Sequence, residues 1–215
     1  MSVVVTAASS HLGRSVIASL LDRGVPAAEI TATSRSTEAL ADLAAQGVRV
    51  VAADYHDAGS LKAAFEGADK VLLVSSGWFD DRAGQHRNAI DAAKAAGVRH
   101  AVYTSGPKAT TSSILLLADH RATEEALAAS GLAHTVLRNG WYFENYTAQV
   151  PTYLEHGMVG SAGEGKVSLV LRRELGEAAA AVLATEGHEG KVYELGGQAV
   201  TLTELAAILS EVTGS

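Results

Sequence analysis

Thr6-Ala7-Ala8-Ser9-Ser10-His11-Leu12-Gly13 is the loop that decides the fold of this chain. The apolar run before it predicts a strand over residues 2–6, and the amphipathic pattern after it predicts a helix over residues 12–23. A strand, a short loop and a helix in this order form the opening unit of a dinucleotide-binding fold. The helix N-terminus would offer unpaired N–H groups and a positive dipole end to a pyrophosphate.

The same alternation continues outward from this loop. Short β-branched runs predict strands over 30–34, 48–53, 70–75, 98–105 and 132–138, and alanine-rich stretches predict helices over 37–46, 60–66, 81–96 and 118–130. Strand–helix–strand units at this spacing imply right-handed crossovers. The sequence therefore predicts an α/β, Rossmann-like fold, in which a parallel sheet has helices on both faces.

The regular pattern loosens after residue 138. Residues 139–145 are rich in aromatics and predict a turn, 146–155 predict a helix, and 157–165 predict a glycine-rich loop. Further signals predict strands over 167–171 and 191–195, and helices over 174–184 and 203–212. We expect one domain over 1–215, with a core over about 1–138 and a small, shortened lobe on the substrate side over about 139–215.

Composition excludes several classes of function. The net charge of −7 argues against nucleic acid as a partner, because phosphate binding needs a concentrated basic face. The chain has no cysteine, and its histidines show no spacing typical of a metal site, so no metal is predicted. No apolar run approaches the roughly 20 residues that cross a bilayer, and the N-terminus does not resemble a signal peptide. We expect a cytoplasmic protein with no membrane partner.

Three positions in the first loop carry glycine in extended short-chain dehydrogenases, and here they are Ala7, Ser10 and Gly13. Gly13 would permit close packing of the helix on the strand. Ala7 would be strained if the turn needs a positive φ, and the Ser10 side chain would stand where backbone approaches phosphate. The alternative is an ordinary turn that binds no ligand.

The ends of the second and third predicted strands suggest further cofactor contacts. Arg35 suits the 2′-phosphate of NADP, whereas an acidic residue there would suit NAD. Asp54, followed by Tyr55, could accept a hydrogen bond from the adenine amino group. The alternatives are a surface arginine and an aspartate that begins a turn.

Longer strings resemble a known family. Residues 85–88, 92–98 and 103–105, the string Leu137-Arg138-Asn139-Gly140-Trp141-Tyr142, and residues 144–146 and 187–195 are similar to the type 2 NAD(P)H:quinone oxidoreductases. These are relatives of the NmrA-like proteins among the atypical short-chain dehydrogenases. The resemblance covers essentially the whole chain. It implies NADP(H) binding, hydride transfer to a quinone, and a small C-terminal lobe that forms one wall of the substrate cleft.

The chain departs from that family in four places. Two loop glycines are replaced, and the loop from Ser75 and Ser76 to Asp81 carries Trp78 and Phe79 where the family has smaller polar residues. Residues 167–174 are more apolar than their family counterparts. The sequence ends at Ser215, several dozen residues short of the usual family length. These departures concern cofactor affinity and substrate identity rather than the fold.

The chemistry expected of the site follows from what the helix over 118–130 lacks. It has neither the tyrosine nor the lysine that lets other short-chain dehydrogenases protonate a carbonyl, so that mechanism is disfavoured. Quinone reduction needs mainly the stacking of the acceptor on the nicotinamide. The aromatic side chains of Trp78, Phe79, Trp141 and Tyr142 could form the walls, or they could simply plug a core edge.

His120 and Glu124 share a helix face and form either an acid/base pair or a surface ion pair. The candidate catalytic residues are Asn139, Tyr142 and His120. Ser105, at a strand end, could orient a ligand carbonyl. The candidate cofactor contacts are Ala7, Ser9, Ser10, His11, Leu12, Gly13, Arg35, Asp54, Tyr55, Ser75, Ser76 and Ser105.

The leading functional hypothesis is an NADPH-dependent oxidoreductase that acts on a quinone or a similar flat conjugated acceptor. One alternative is a non-catalytic, NADP-sensing regulator of the NmrA-like kind. Another is a cofactor-independent biosynthetic enzyme, such as a cyclase or an eliminase, on the same fold. The expected partner is a small aromatic or quinone-like molecule. An incomplete small lobe could also expose apolar surface to a second subunit, so a homodimer is a further expectation.

Overall fold

The computed structural model describes residues 1–77 and 81–214. Its strands are β1 (Val3–Val5), β2 (Ile30–Ser34), β3 (Arg49–Ala52), β4 (Lys70–Leu73), β5 (His100–Ser105), β6 (Ala133–Asn139), β7 (Trp141–Tyr142), β8 (Lys166–Val170), β9 (Val192–Leu195) and β10 (Ala199–Thr201). Its α-helices are α1 (His11–Asp22), α2 (Ala41–Ala45), α3 (Ala58–Phe65), α4 (Arg82–Ala95), α5 (Ala118–Ser130), α6 (Glu144–Thr147), α7 (Val150–His156), α8 (Arg172–Ala184) and α9 (Leu202–Thr213). None of the helices in these two ranges has the length and apolar character needed to cross a membrane.

Seven strands form the central sheet in the order β3-β2-β1-β4-β5-β6-β9. Every neighbouring pair is parallel, which confirms the predicted α/β, Rossmann-like fold. The strand order runs outward in one direction from β1 and in the other from β4. A crevice opens beyond the carboxyl ends of strands at such a reversal, so the loops after β1 and β4 border the expected ligand site.

Two apolar layers hold the helices on the sheet. Val3 and Val5 of β1 point into the layer shared with α1 and α8, whereas Val4 points into the layer shared with α3 and α4. Successive strand residues face opposite sides of a sheet, so an apolar triplet such as β1 contributes to both layers. Burial on both faces is typical of strands in parallel sheets.

The structure corrects the sequence interpretation mainly after residue 138. Residues 139–145 are not a simple turn, because β6 continues to Asn139 and β7 then pairs with β8. The single helix predicted over 146–155 is two helices, α6 and α7. Pro151 stands in the first turn of α7 and has no N–H to continue a helix from α6.

The later elements return partly to the core. Helix α8 packs on α1, and β9 extends the central sheet beside β6. The small lobe keeps a second sheet of order β10-β8-β7, of which β10 is not predicted from the sequence. The helix predicted over 37–46 is also shorter, since a 3₁₀ turn over Glu38–Leu40 precedes α2. A single domain over the whole chain stays a prediction.

Candidate functional site

A cleft of about 770 Å³ opens at the carboxyl ends of the central strands. It lies where the strand order reverses, which is the usual ligand site of such sheets. The cleft brings together most of the predicted site residues, namely Ala7, Ser9, Ser10, His11, Leu12, Arg35, Asp54, Tyr55, Ser75, Ser76, Ser105, His120, Asn139, Trp141 and Tyr142. Trp78 and Phe79 fall outside the described residues.

The first loop forms a tight turn at the positions where extended short-chain dehydrogenases carry glycine. Ala7 has a φ of 46°, so the predicted strain at this position is present. The Ser10 hydroxyl accepts a hydrogen bond from the backbone N–H of Gly13 at 3.0 Å and thereby caps α1. The Ser10 side chain therefore stabilises the start of α1 by accepting from one of its unpaired N–H groups, in addition to occupying space near the expected phosphate site.

Gly13 lies against the backbone of the preceding turn. A Cβ at this position would stand 2.6 Å from the carbonyl oxygen of Ala7 and 2.8 Å from Cα of Ala8. Both atoms belong to the main chain and cannot rotate away. Gly13 thus allows the close packing of α1 on β1 that the sequence predicted, although it does not itself line the cleft.

Replacing Ala7 with glycine is expected to raise the free energy of unfolding by about 0.5–1 kcal/mol. Release of the left-handed strain favours the variant by about 1–2 kcal/mol, and the greater freedom of glycine in the unfolded chain offsets part of that gain. Urea unfolding of the purified variant measures the difference. Ala8→Gly is the matched control and should be destabilising, because Ala8 is buried and has no positive φ. A less stable Ala7→Gly variant would contradict the assignment of strain.

The residues after β2 and β3 form one end of the cleft. The Ser34 hydroxyl donates to Oγ of Ser9 at 3.0 Å and ties the first loop to β2, and the exposed Arg35 follows. Oδ1 of Asp54 accepts from the backbone N–H of His56 at 2.9 Å, so Asp54 does begin a turn. The Tyr55 hydroxyl donates to the carbonyl of Val74 at 2.6 Å, and its burial raises the pKa of the phenol. Tyr55 therefore braces two strand ends through its hydroxyl.

After β4 and β5, protein partners occupy the backbone N–H groups of Ser75 and Ser76 and the hydroxyl of Ser105, whereas the buried Ser76 hydroxyl has no partner among the described residues. The N–H groups of Ser75 and Ser76 donate to Oγ1 of Thr104 at 2.9 Å and to Nε2 of His86 at 3.0 Å. The Ser105 hydroxyl donates to the carboxylate of Glu124 at 2.6 Å. Its proton is therefore turned into the protein, and the prediction that it orients a ligand carbonyl is not supported.

His120 and Glu124 form neither the acid/base pair nor the surface ion pair that the sequence left open. Both residues are buried. The Arg138 guanidinium donates to the Glu124 carboxylate at 3.0 and 2.7 Å, while Nδ1 of His120 lies 2.7 Å from the Tyr103 hydroxyl. Burial, together with the charge of Arg82, lowers the pKa of His120 to about 4. At neutral pH His120 is thus an uncharged imidazole on the wall of the cleft.

Asn139 and the aromatic pair after it close the other end of the cleft. Asn139 is only 7% exposed, and within the described part of the chain its Oδ1 has no hydrogen-bond donor. Trp141 is 45% exposed on the cleft wall. Burial raises the pKa of Tyr142, and the Arg172 guanidinium carbon lies 5.1 Å from the centroid of its ring. This end combines flat apolar surface with a few polar groups.

Sequence reasoning missed several residues of the wall. Arg172 was not among the predicted site residues, although it lines the cleft beside Tyr142. Arg82 and Gln85 also line the cleft, and they are buried at the start of α4. Their position directly after the loop that follows β4 was the one available signal, because that loop borders the point where the strand order reverses.

Comparison with known proteins agrees with this geometry. The sequence profile of a family described as NAD(P)H-binding matches residues 7–186. The chain is 49% identical over 214 residues to quinone oxidoreductase 2 of Escherichia coli K12, and the alignment covers 99% of this chain and 74% of that protein.

Solved structures give the same result. The E. coli NADPH-dependent quinone oxidoreductase complexed with NADPH superimposes with a TM-score of 0.96, covering 99% of this chain and 76% of that chain at 49% identity. Citrobacter sp. triphenylmethane reductase complexed with NADP(H) gives 0.95, covering 100% and 77% at 42% identity. The chain therefore belongs to the NAD(P)H-binding family, within the type 2 quinone oxidoreductase and NmrA-like branch of the atypical short-chain dehydrogenases.

Proposed function

We propose that this protein is an NADPH-dependent oxidoreductase that transfers a hydride to a quinone or to a similar flat conjugated acceptor. The observation that carries the proposal is the shared cleft, which is lined both by the N-terminus of α1 with Arg35 and by Trp141 with Tyr142. A dinucleotide site and an aromatic acceptor site thus adjoin each other. The 49% identity to the E. coli quinone oxidoreductase supports the same assignment.

The first loop and Arg35 fit the phosphates of NADPH. The N–H groups of His11 and Leu12 belong to the first turn of α1, so the helix itself provides no acceptor for them. They can donate to a pyrophosphate, and Gly13 keeps this helix end against the strand. Arg35 follows β2, where its guanidinium can pair with a 2′-phosphate. Asp54, in the same part of the cleft, can accept from the adenine amino group.

The end of the cleft beside Trp141 and Tyr142 is the proposed site of the acceptor, and we refer to it as the acceptor half. Its walls are mainly apolar. Ile114, Leu116 and Leu117 line the cleft together with Trp141 and Tyr142. Aliphatic and aromatic walls bind a planar ring through its faces and exclude water from the reacting atoms. An acceptor held in this way lies next to the dinucleotide site in a defined orientation, which is the main requirement of hydride transfer.

The reaction needs little further chemistry from the protein. When bound, reduced NADP supplies a hydride, which carries two electrons. A quinone that gains this hydride takes one proton from water to become a hydroquinone, so atoms and charge balance. The sequence of α5 lacks the tyrosine and lysine used in carbonyl reduction, which agrees with an acceptor that needs no strong acid.

Titration of the protein with NADPH and with NADH, followed by calorimetry, tests the cofactor assignment. Arg35→Ala is expected to weaken NADPH binding by about tenfold to a hundredfold, because one charge-assisted contact contributes about 1.5–3 kcal/mol. NADH binding should be unchanged. Arg49→Ala is the matched control, since Arg49 begins β3 and is not among the cleft-lining residues.

The outcomes separate the three functional hypotheses. Turnover of NADPH with a quinone supports the oxidoreductase, whereas tight NADPH binding without turnover would indicate an NADP-sensing regulator. Failure to bind either dinucleotide at about millimolar concentration would leave only a cofactor-independent enzyme. Equal affinity of the wild-type protein for NADPH and NADH would refute only the proposed contact between Arg35 and the 2′-phosphate. The oxidoreductase assignment would stand.

We also propose a cytoplasmic location and a homodimer, which the sequence analysis predicted. NADPH-dependent reduction is chemistry of a compartment that maintains NADPH, and this supports the first prediction. Exposed apolar side chains on α9, such as Ile208 and Val212, support the second. Cell fractionation and sedimentation velocity would test them.

A further inference from the structure

A buried chain of hydrogen bonds leads from α4 to the acceptor half of the cleft. It runs through His86 on α4, Tyr103 on β5 and His120 on α5. The three rings also contact one another, with centroid separations of 5.3 Å between His86 and Tyr103 and 5.9 Å between Tyr103 and His120. All three residues are buried, and of the three only His120 lines the cleft.

The first link fixes the proton of His86. A backbone N–H can only donate, and that of Ser76 donates to Nε2 of His86 at 3.0 Å. Burial lowers the pKa of His86 to about 3, so the ring is neutral and carries its proton on Nδ1. Nδ1 of His86 lies 2.9 Å from Oγ1 of Thr123 and donates its proton to that oxygen. The Thr123 hydroxyl in turn donates to the carbonyl of Asp119.

The second link follows from the first. Nδ1 of His86 is also 3.4 Å from the Tyr103 hydroxyl, and because it carries a proton it can only donate. Burial raises the pKa of Tyr103, so the phenol keeps its proton. The side chains of Thr123 and Ser75 also hydrogen-bond to this phenol. At 2.7 Å, Nδ1 of His120 is the acceptor that we assign to its proton.

The proton of His120 is therefore on Nε2. The edge of this ring formed by Cδ2 and Nε2 is turned toward Gly106 at the end of β5, because a Cβ placed on Gly106 would lie 3.4 Å and 3.7 Å from these two atoms. Gly106 lines the cleft, and the strand beside it carries Asn139 just beyond the pairing of Ser105 with Arg138. A neutral N–H donor thus stands at the same part of the cleft as Asn139.

We propose that His120 is a catalytic residue that donates a hydrogen bond from its neutral Nε2–H to the carbonyl oxygen of the acceptor, with Tyr103 as the positioning residue that fixes this tautomer. The proposal rests on the proposed function. Negative charge develops on that oxygen as the acceptor gains a hydride, and a preorganised donor stabilises it. His120 keeps its proton, and the product takes its proton from water.

The charges around His120 keep the ring neutral. Arg82 on α4 disfavours the imidazolium, whereas Glu124 and Asp119 on α5 favour it, and burial outweighs both carboxylates. The other titratable neighbours are His86 and Tyr103, which are uncharged. Because the pKa of His120 is lowered to about 4, kcat/KM should show no ionisation of this residue over roughly pH 6 to 9.

Nitrogen-15 NMR of the histidine-labelled protein without acceptor tests the tautomer independently of activity. We expect the His120 signals, identified by their loss in His120→Gln, to report a proton on Nε2 and no titration near the ordinary midpoint of about 6.5. Tyr103→Phe should abolish the preference for this tautomer. A proton on Nδ1 in the wild-type protein, or an imidazolium at neutral pH, would overturn the assignment.

Steady-state kinetics with a simple benzoquinone tests the role. His120→Leu should lower kcat by about a hundredfold, as does the loss of one oxyanion donor elsewhere, with NADPH affinity unchanged. His120→Gln keeps an N–H donor and should lose less, and Tyr103→Phe should reduce kcat rather than raise KM for NADPH. His156→Leu is the control, because His156 is exposed on α7 and outside the cleft.

The two proposals can fail separately. If the wild-type protein reduces no quinone, the proposed function fails and the catalytic role of His120 fails with it. If the wild-type protein reduces quinones and folded His120→Leu keeps its kcat, only the role of His120 is refuted.

Discussion

Gly13→Ala is expected to lower the free energy of unfolding by about 3 kcal/mol, near the upper end of the usual cost of overpacking, and to weaken NADPH binding. The added Cβ would overlap the carbonyl oxygen of Ala7 and Cα of Ala8, at 2.6 and 2.8 Å. Since both are main-chain atoms, the N-terminus of α1 must move away from β1. The same movement displaces the N–H groups that face the phosphates. Urea unfolding and calorimetric titration with NADPH measure the two effects.

Gly77→Ala is the matched control for this substitution. Gly77 also lies after a central strand, but a Cβ there would meet no atom of residues 1–77 and 81–214 within 4 Å, and its φ is not positive. Its stability should stay within about 0.5 kcal/mol of the wild-type protein. An unchanged urea midpoint for Gly13→Ala would show that the turn relaxes at little cost, and the close approach would then not explain why glycine is kept here.

The core could be predicted from the sequence because its signals are local. The boundaries of β2 and α5 agree with those predicted, since a β-branched run and a helical stretch ended by Gly131 each define their own limits. The strain at Ala7 was predictable for the same reason, because the turn after β1 needs a positive φ whatever residue occupies it. The position of Arg35 in the cleft also follows directly from the end of β2.

The small lobe was harder to predict because its elements depend on distant partners. The two residues of β7 become a strand only through their pairing with β8, about 28 positions away in the register Trp141 to Leu169. Strand β10 likewise depends on β8. Such short segments carry too few residues for periodicity to distinguish a strand from a turn.

The polar contacts of the site were beyond the reach of sequence periodicity. Helical spacing placed His120 and Glu124 on one face, which is correct, but it could not say which partners they take. Strands β5 and β6 supply those partners, because they bring Tyr103, Ser105 and Arg138 beside α5. Pairing between residues far apart in sequence is a property of the folded sheet, and no local pattern encodes it.

The buried pair of Glu124 and Arg138 carries the last prediction, in which Glu124→Gln is expected to lower the free energy of unfolding by about 3 kcal/mol. The two side chains are 8% and 13% exposed, and the guanidinium makes two hydrogen bonds to the carboxylate, at 3.0 and 2.7 Å. Hydrogen bonding to Glu124 raises the pKa of Arg138 in the wild-type protein. A guanidinium is charged at neutral pH even without that partner, so the variant leaves a buried positive charge without its carboxylate. Removing one partner of a buried pair costs about 3–5 kcal/mol, and the remaining contact of Arg138 with Glu194 at 2.9 Å places the cost at the lower end.

Glu177→Gln provides the comparison, because Glu177 pairs with Arg173 at 3.6 Å on the exposed face of α8 and both side chains are open to solvent. That substitution should change stability by less than about 0.5 kcal/mol. The difference between the two variants in urea unfolding isolates the effect of burial, since both remove one carboxylate from one arginine. Equal and small losses would mean that water reaches Arg138 once Glu124 is neutral. The network of Ser105, Glu124 and Arg138 would then not be what holds α5 against β5 and β6, and the position of His120 would depend on Tyr103 alone.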